Sequence, residues 1–180
     1  DRVGNRVTIV RGAAGRGDRI DAGDGRTITF AYDTSNRVIE AQDNVGTTVQ
    51  YTYDTVAGVL SEVTDAAGGV TRYGYDQFNE MTWIRDPRGI TYLTNQYDAV
   101  GRVTRQTLAD GGIYRFAYAS CGSGCQRTDV TDPRGVVRRV TYNTSGLPIA
   151  DIEALGRPEQ RTTSYAWGPT TGLLTSVTNP

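Results

Sequence analysis

YDAVGRVTRQTLADGGIYRFAY, residues 97–118, begins and ends on tyrosine. Asp98-Ala-Val-Gly101 follows the first tyrosine, and Asp110-Gly111-Gly112 lies half-way along. Both read as turns. Aspartate at the first position accepts a backbone N–H, and glycine at the end takes a positive φ. The stretches between them are too short for helices and long enough for strands. One tyrosine-to-tyrosine period therefore reads as a β-hairpin.

The period recurs along the chain. Tyr32, Tyr53, Tyr75, Tyr97, Tyr118, Tyr142 and Tyr165 stand 21, 22, 22, 21, 24 and 23 residues apart. The first turn of each period follows tyrosine, at Asp33, Asp76, Asp98-to-Gly101 and Asn143, with Asp1-Arg-Val-Gly4 in the same slot. The second falls half a period later, at Asp43-to-Gly46, Asp65-to-Gly68, Asp86-to-Gly89, Asp132-to-Gly135 and the variant Glu153-to-Gly156. Turns every 10 to 12 residues are an all-β signature. Before each tyrosine the residues alternate, as in Ile28, Phe30 and Tyr32 against Thr27, Thr29 and Ala31. Residues i and i+2 of a strand share a face, so stacked hairpins align the tyrosines as a ladder. Val38, Val63, Ile84, Leu108, Val130 and Val177 suggest a second, weaker apolar row. One hairpin cannot bury its face alone, whereas an array can. The predicted fold is all-β: a single array over 1–180 of antiparallel hairpins of about 22 residues, forming a long curved or spiral sheet. Residues 10–24 read as a loop insertion.

Composition narrows the function. Net charge is −1, with all 19 basic residues arginine, which argues against a dedicated nucleic-acid binder. With no histidine and no lysine, a Ser-His triad and His-ligated metals are unavailable within the chain. No nucleophile–base pair or close carboxylate pair stands out from the repeat, so no catalytic residue, cofactor or metal is expected. No apolar run approaches a membrane span, and the start does not resemble a signal peptide.

The pattern Tyr-Asp-x-x-Gly-Arg-apolar, then Asp-x-x-Gly, then aromatic-x-Tyr-Asp, resembles the YD repeats of the Rhs family. Such repeats also occur in Tc-toxin shell components, wall-associated proteins and teneurins. Tyr97 to Thr104 and Tyr75 to Thr82 match best, and the resemblance covers nearly the whole chain. It departs at Ala119, Asn143 and Ala166, which stand where the acid after tyrosine belongs. The resemblance implies a structural wall segment of a hollow shell that encloses or displays a toxin or effector domain, secreted or on a bacterial surface. Its partners would be the rest of the shell and the enclosed domain, or like chains joined by strand addition. The alternative is an extracellular adhesin, glycan-binding or filament-forming segment. Toxin members often end their shell in a self-cleaving segment with paired Asp-Pro-x-Gly aspartates. Asp86-Pro-Arg-Gly89 and Asp132-Pro-Arg-Gly135 look similar, but they lie 46 residues apart in ordinary turn slots and are read as turns. The chain opens in the turn after a missing tyrosine and stops at Asn179-Pro180, so excision from a longer array, or end-to-end assembly, is expected.

Cys121 and Cys125 allow a small disulfide, half a metal site or two free thiols. A closed zinc site would need outside ligands. The flexible loop and the export implied by the resemblance favour the disulfide. Arg16-Gly17-Asp18 is read as a chance tripeptide, and Gly12-to-Gly17 as a flexible insertion without the features of a phosphate loop. Arginines beside tyrosines, such as Arg72 and Arg115, are read as covering ladder edges.

Overall fold

A computed structural model describes residues 6–12 and 15–180. The slot at Asp1-to-Gly4 and residues 13–14 of the glycine-rich stretch lie outside the described residues. Sixteen strands and no helix are assigned among the described residues. They divide between two compact units. The first, up to Thr91, holds β1 (Thr8–Arg11), β2 (Gly17–Asp21), β3 (Thr27–Tyr32), β4 (Val38–Asp43), β5 (Thr48–Tyr53), β6 (Leu60–Thr64), β7 (Val70–Tyr75) and β8 (Met81–Arg85). The second, from Tyr92, holds nearly all of β9 (Thr91–Tyr97), then β10 (Val103–Leu108), β11 (Ile113–Gly122), β12 (Cys125–Thr131), β13 (Val137–Tyr142), β14 (Pro148–Glu153), β15 (Arg161–Trp167) and β16 (Leu174–Thr178). Within each unit every strand pairs antiparallel with the next in sequence.

Registers fix what shares a face. In the first unit Ile20 opposes Ile28, Phe30 opposes Ala41, Ala41 opposes Val49, Tyr51 opposes Val63, and Tyr73 opposes Ile84. The tyrosines lie on this face by the two-residue period. On the other face Arg19 opposes Thr29, Glu40 opposes Gln50, and Glu62 opposes Arg72. The second unit keeps the division, with Phe116 opposite Val130 on the aromatic side and Asp129 opposite Arg139 on the polar side. Neither face is sealed. Only Ala154 and Asn95, each 9% exposed, are buried among the described residues. The ladder tyrosines are half-buried. Stability therefore comes from many half-buried contacts along one face.

The period is marked by a bulge at five of the tyrosines, while Tyr118 pairs with Thr128 without a slip. Register slips where Tyr32 meets Val38, Tyr53 meets Leu60, Tyr75 meets Met81, Tyr97 meets Val103 and Tyr142 meets Pro148. The same slip places Trp167, not Tyr165, opposite Leu174. Trp167 is followed by a wide turn, Gly168 N–H to the Leu173 carbonyl, that matches Asp54 N–H to the Val59 carbonyl after Tyr53. Tyr165 is thus two residues inside the strand, opposite Val177, and Trp167 holds the ladder slot expected for it. Tyr165 took that place in the sequence reading because residues two apart share a face. The second apolar row also shifts. Ala41, Val63, Ile84, Gln106, Val130 and Asp151 occupy equivalent places two before the second turn, while Val38 belongs with the partners of the tyrosines.

Residues 10–24 are not a loop insertion. They contain β2 and the end of β1, paired from Thr8 opposite Asp21 to Arg11 opposite Gly17. Gly12 N–H donates to Arg16 and Gly15 N–H to Gly12, the bonds that Asp33, Asn36 and Arg37 make one period later. Ala22 N–H donates to Arg26 as Asp43 does to Thr47. The described residues of this segment belong to a repeat that runs on to Tyr32, with Arg11 in the tyrosine slot and Gly12 and Ala22 in the acid slots. A Cβ on Gly12 would meet Asp18 Oδ2 at 1.7 Å, so that carboxylate fills the space a turn acid would take.

Candidate functional site

The turns are built alike. Asp33 N–H donates to the Arg37 carbonyl at 2.9 Å and Asn36 N–H to the Asp33 carbonyl at 3.0 Å. Asp33 Oδ1 accepts the N–H groups of Ser35 and Arg37, both at 2.9 Å. Asp43, Asp65, Asp76, Asp86, Asp98 and Asp132 each accept the N–H groups two and four residues on. Gly46, Gly68, Gly89, Gly101 and Gly135 close their turns with φ between 76° and 90°. That region costs other residues strain, and Asn36 and Asn79 accept it in the same place. At Leu108 to Gly112 the turn starts at Leu108, so Asp110 stands third and accepts Gly112 N–H. Glu153 starts no such turn; Arg157 N–H donates to Ala154 instead.

Six turn acids, Asp33, Asp43, Asp54, Asp86, Asp98 and Asp132, are held below their ordinary value of 3.8. Asp33, Asp43, Asp98 and Asp132 are lowered chiefly by the N–H four residues on, and Asp54 by those of Ala57 and Val56. At Asp86 partial burial is the largest influence and pulls upward, but Ile90 N–H and the Arg88 guanidinium together outweigh it. A carboxylate lowered on folding contributes stability above its unfolded pKa, and this is lost as pH falls through the folded value. Stability is therefore expected to fall below about pH 4. Asn143 makes the same pair of bonds to Ser145 and Leu147 without a charge. Asp43→Asn should flatten part of the acid limb in urea titrations between pH 2 and 5 while the fold persists. An unchanged acid limb in variants with several such replacements would remove the turn carboxylates as its cause.

One residue joins a turn to the next period. Arg37 Nε donates to Asp33 Oδ2 at 2.8 Å, and its Nη1 donates to the Gly58 carbonyl at 2.9 Å. Its guanidinium carbon lies 4.3 Å from the Tyr53 ring centroid. The Tyr53 hydroxyl donates to the Val38 carbonyl at 2.8 Å. Turn acid, arginine and the following tyrosine thus close a clamp between repeats. It recurs at Asp98, Arg102 and Tyr118, whose hydroxyl donates to Val103 at 2.8 Å. Burial, chiefly, pushes the Tyr118 phenol above its usual range. A third clamp sets Arg16 4.4 Å from the Tyr32 ring, with the Tyr32 hydroxyl donating to Gly17. There Arg16 bonds Asp18 and Asn36 in place of a turn acid. The Arg16-Gly17-Asp18 tripeptide is therefore part of the repeat, not a displayed loop. Each arginine precedes its tyrosine by sixteen residues (16 to 32, 37 to 53, 102 to 118). That spacing was available in the sequence, hidden by the abundance of arginine. Before Tyr75, Tyr97 and Tyr142 the same place holds Val59, Met81 and Gln126. Trp167 donates its indole N–H to the Pro148 carbonyl at 2.6 Å, as a ladder tyrosine does with its hydroxyl.

Residues 4–152 match the family model described as Teneurin YD-shell. The chain belongs to the teneurin YD-shell family. Its YD-shell fold is also similar to solved structures. One is the crystal structure of TcdB2-TccC3-TEV, at 17% identity and a TM-score of 0.50, covering 97% of this chain and 10% of that one. Another is the Photorhabdus luminescens Tc holotoxin pore with a mutation in TccC3, at 16% and 0.52, covering 92% and 10%. A third is TcdB2-TccC3 without its hypervariable C-terminal region, at 16% and 0.51, covering 92% and 11%. At such identity the likeness concerns the fold. This YD-shell chain spans about a tenth of the length of the structures it resembles. No curated protein matches it in sequence.

Proposed function

We propose that this YD-shell chain is a non-catalytic wall segment of a shell that encloses or displays a toxin or effector domain, exported from or held on the surface of a bacterium. The clamp carries this reading. A wall must stay joined without a thick core, and the clamps at Asp33 and Asp98 tie a turn to the next repeat through ionic, cation–π and hydroxyl contacts at once. Family membership supports the structural role, and the similar structures are TcdB2-TccC3 assemblies, one of them a holotoxin pore. The test is limited proteolysis of the full-length polypeptide. A nonrepeat domain beside the array should resist protease in the wild type and become sensitive when Tyr53 and Tyr118 are both alanine. Equal sensitivity in the two proteins would overturn enclosure.

A second reading, a glycan-binding adhesin segment, is favoured by one feature. Arg138 and Asp151 form a bidentate ion pair on the tyrosine face. With Glu153, Arg161, Thr163 and Tyr165 they line a cavity of about 490 Å³, which Pro180 also borders. Such a wall offers donors and acceptors suited to sugar hydroxyls. Glycan-array binding that is lost in Arg138→Gln would favour this reading over the first.

A further inference from the structure

The YD-turn rim of the second unit carries one feature the repeat does not require. β11 runs on beyond Tyr118 to Gly122, and β12 begins at Cys125, so this hairpin outgrows the others. Its tip is closed by the Cys121–Cys125 disulfide.

The tip has the properties of a reactive bond. Cys121 and the three residues after it are exposed, and Cys125 is half-buried. Cys121 sits where the register slips between Ser120 and Gly122, outside the ladder pairs. The three enclosed residues all take left-handed backbone, at φ 85° for Gly122, 49° for Ser123 and 78° for Gly124. Ser123 and Gly124 form the two-residue turn between the paired Gly122 and Cys125, where positive φ at both positions is the usual hairpin geometry, so the tip keeps its turn when the ring opens. The cysteines are only four residues apart, so the bond removes little freedom from the unfolded chain and gains little protection in return. Arg127 lies two positions beyond Cys125 on the same side of β12. The tip also touches the next repeat. A Cβ on Gly124 would stand 2.5 Å from Thr144 Cγ2, within the turn that Asn143 opens.

We propose that Cys121–Cys125 is a thiol–disulfide exchange site, whose redox state sets how firmly the β11–β12 tip holds the Asn143–Gly146 turn. The co-reactant is a thiol, either a small free thiol or the dithiol of a reductase. Its thiolate forms a bond to Cys121 Sγ as the Sγ–Sγ bond breaks. The electron pair leaves on Cys125 Sγ, which takes a proton from water. A second thiolate then bonds to the reagent sulfur of the mixed disulfide and releases Cys121 as a thiolate, protonated in turn. Both protein sulfurs are reduced, and two reagent thiols become one disulfide.

The test compares reduction of the oxidised chain in its native state and in denaturant, with glutathione as one probe and thioredoxin as the other. Alkylation and mass analysis follow the thiols. With at least one probe, the native rate is expected within about a hundredfold of the denatured rate, since exposure of Cys121 at the tip offsets lost mobility. Faster reaction with glutathione assigns the site to small thiols, and faster reaction with thioredoxin to a dithiol protein. A native rate more than about a hundredfold slower with both probes makes the bond an inert staple and overturns the proposal. Amide exchange provides the second readout. Reduction should raise exchange at Ser145 and Leu147 while leaving that at Arg37 and Thr47 unchanged. Exchange at Ser145 and Leu147 that is identical in oxidised and reduced chains overturns the coupling to the turn.

Discussion

Tyr53→Ala is expected to destabilise the chain by about 3 kcal/mol in a denaturant titration. A tyrosine ring buries roughly 150–250 Å² when fully enclosed. Tyr53 is half-buried, so about 100 Å² returns to water, or about 2.5 kcal/mol at 25 cal/mol per Å². Loss of its hydroxyl bond to Val38 adds about 1 kcal/mol. The lost Arg37 stack is offset in part by rehydration of the guanidinium. A fully enclosed ring would cost about 3–5 kcal/mol, and the open face places Tyr53 at the bottom of that range. Tyr53→Phe separates the parts. It keeps the ring, loses the hydroxyl and should cost about 1 kcal/mol. Tyr92, on the polar face and 39% exposed, is the control, and its alanine variant should cost well under 1 kcal/mol. A Tyr53→Ala change within about 0.5 kcal/mol of wild type would reduce the ladder to surface decoration.

The tyrosine period is legible in the sequence alone, and the reasons for that also separate the features that are legible from those that are not. A tyrosine before a turn acid is a rare combination, and its return at 21 or 22 residues from Tyr32 to Tyr97 survives substitution at other positions. The first repeat escaped because both marks were replaced at once. Arg11 stands for tyrosine and Gly12 for aspartate, although the hydrogen bonds of the turn persist. The last ladder slot was misplaced by two residues because Tyr165 and Trp167 share a face, and only the bulge opposite Leu174 separates them. The turn acids were legible because one side chain satisfies two local N–H groups, a matter of a few residues. The clamp was not, because it joins positions sixteen apart through an arginine that sequence alone leaves among nineteen basic residues. Burial was the least legible quantity. Alternation shows which side chains share a face, but not whether another layer covers them.

The largest effect that pattern alone could not suggest sits on the polar face, where Gly74 faces Trp83 across β7 and β8. Glycine inside a strand ordinarily weakens it, and replacement by valine should gain β propensity and restrict the unfolded chain, together worth about 1–2 kcal/mol. Gly74 has no positive φ to forbid the change. Space forbids it. A Cβ there would lie 2.0 Å from Cε2 and Nε1 of Trp83 and 2.5 Å from Cζ2, so the indole rests on bare backbone. Arg85 stacks at 5.0 Å from the Trp83 ring and would lose its platform. Expelling a half-buried indole costs about 3 kcal/mol, more than the gain, with further loss from displaced neighbours. Gly74→Val is therefore expected to destabilise by about 2 kcal/mol and to shift tryptophan emission to the red. The sign must reverse when the ring is gone. In a Trp83→Ala background the same Gly74→Val change should stabilise by about 1 kcal/mol, giving a coupling of about 3 kcal/mol in the double-mutant cycle. Additivity within about 0.5 kcal/mol would mean that the indole does not depend on the glycine. Coupling of the expected size would show that an open sheet can bury an aromatic ring against its own backbone, where no second layer is needed to cover it.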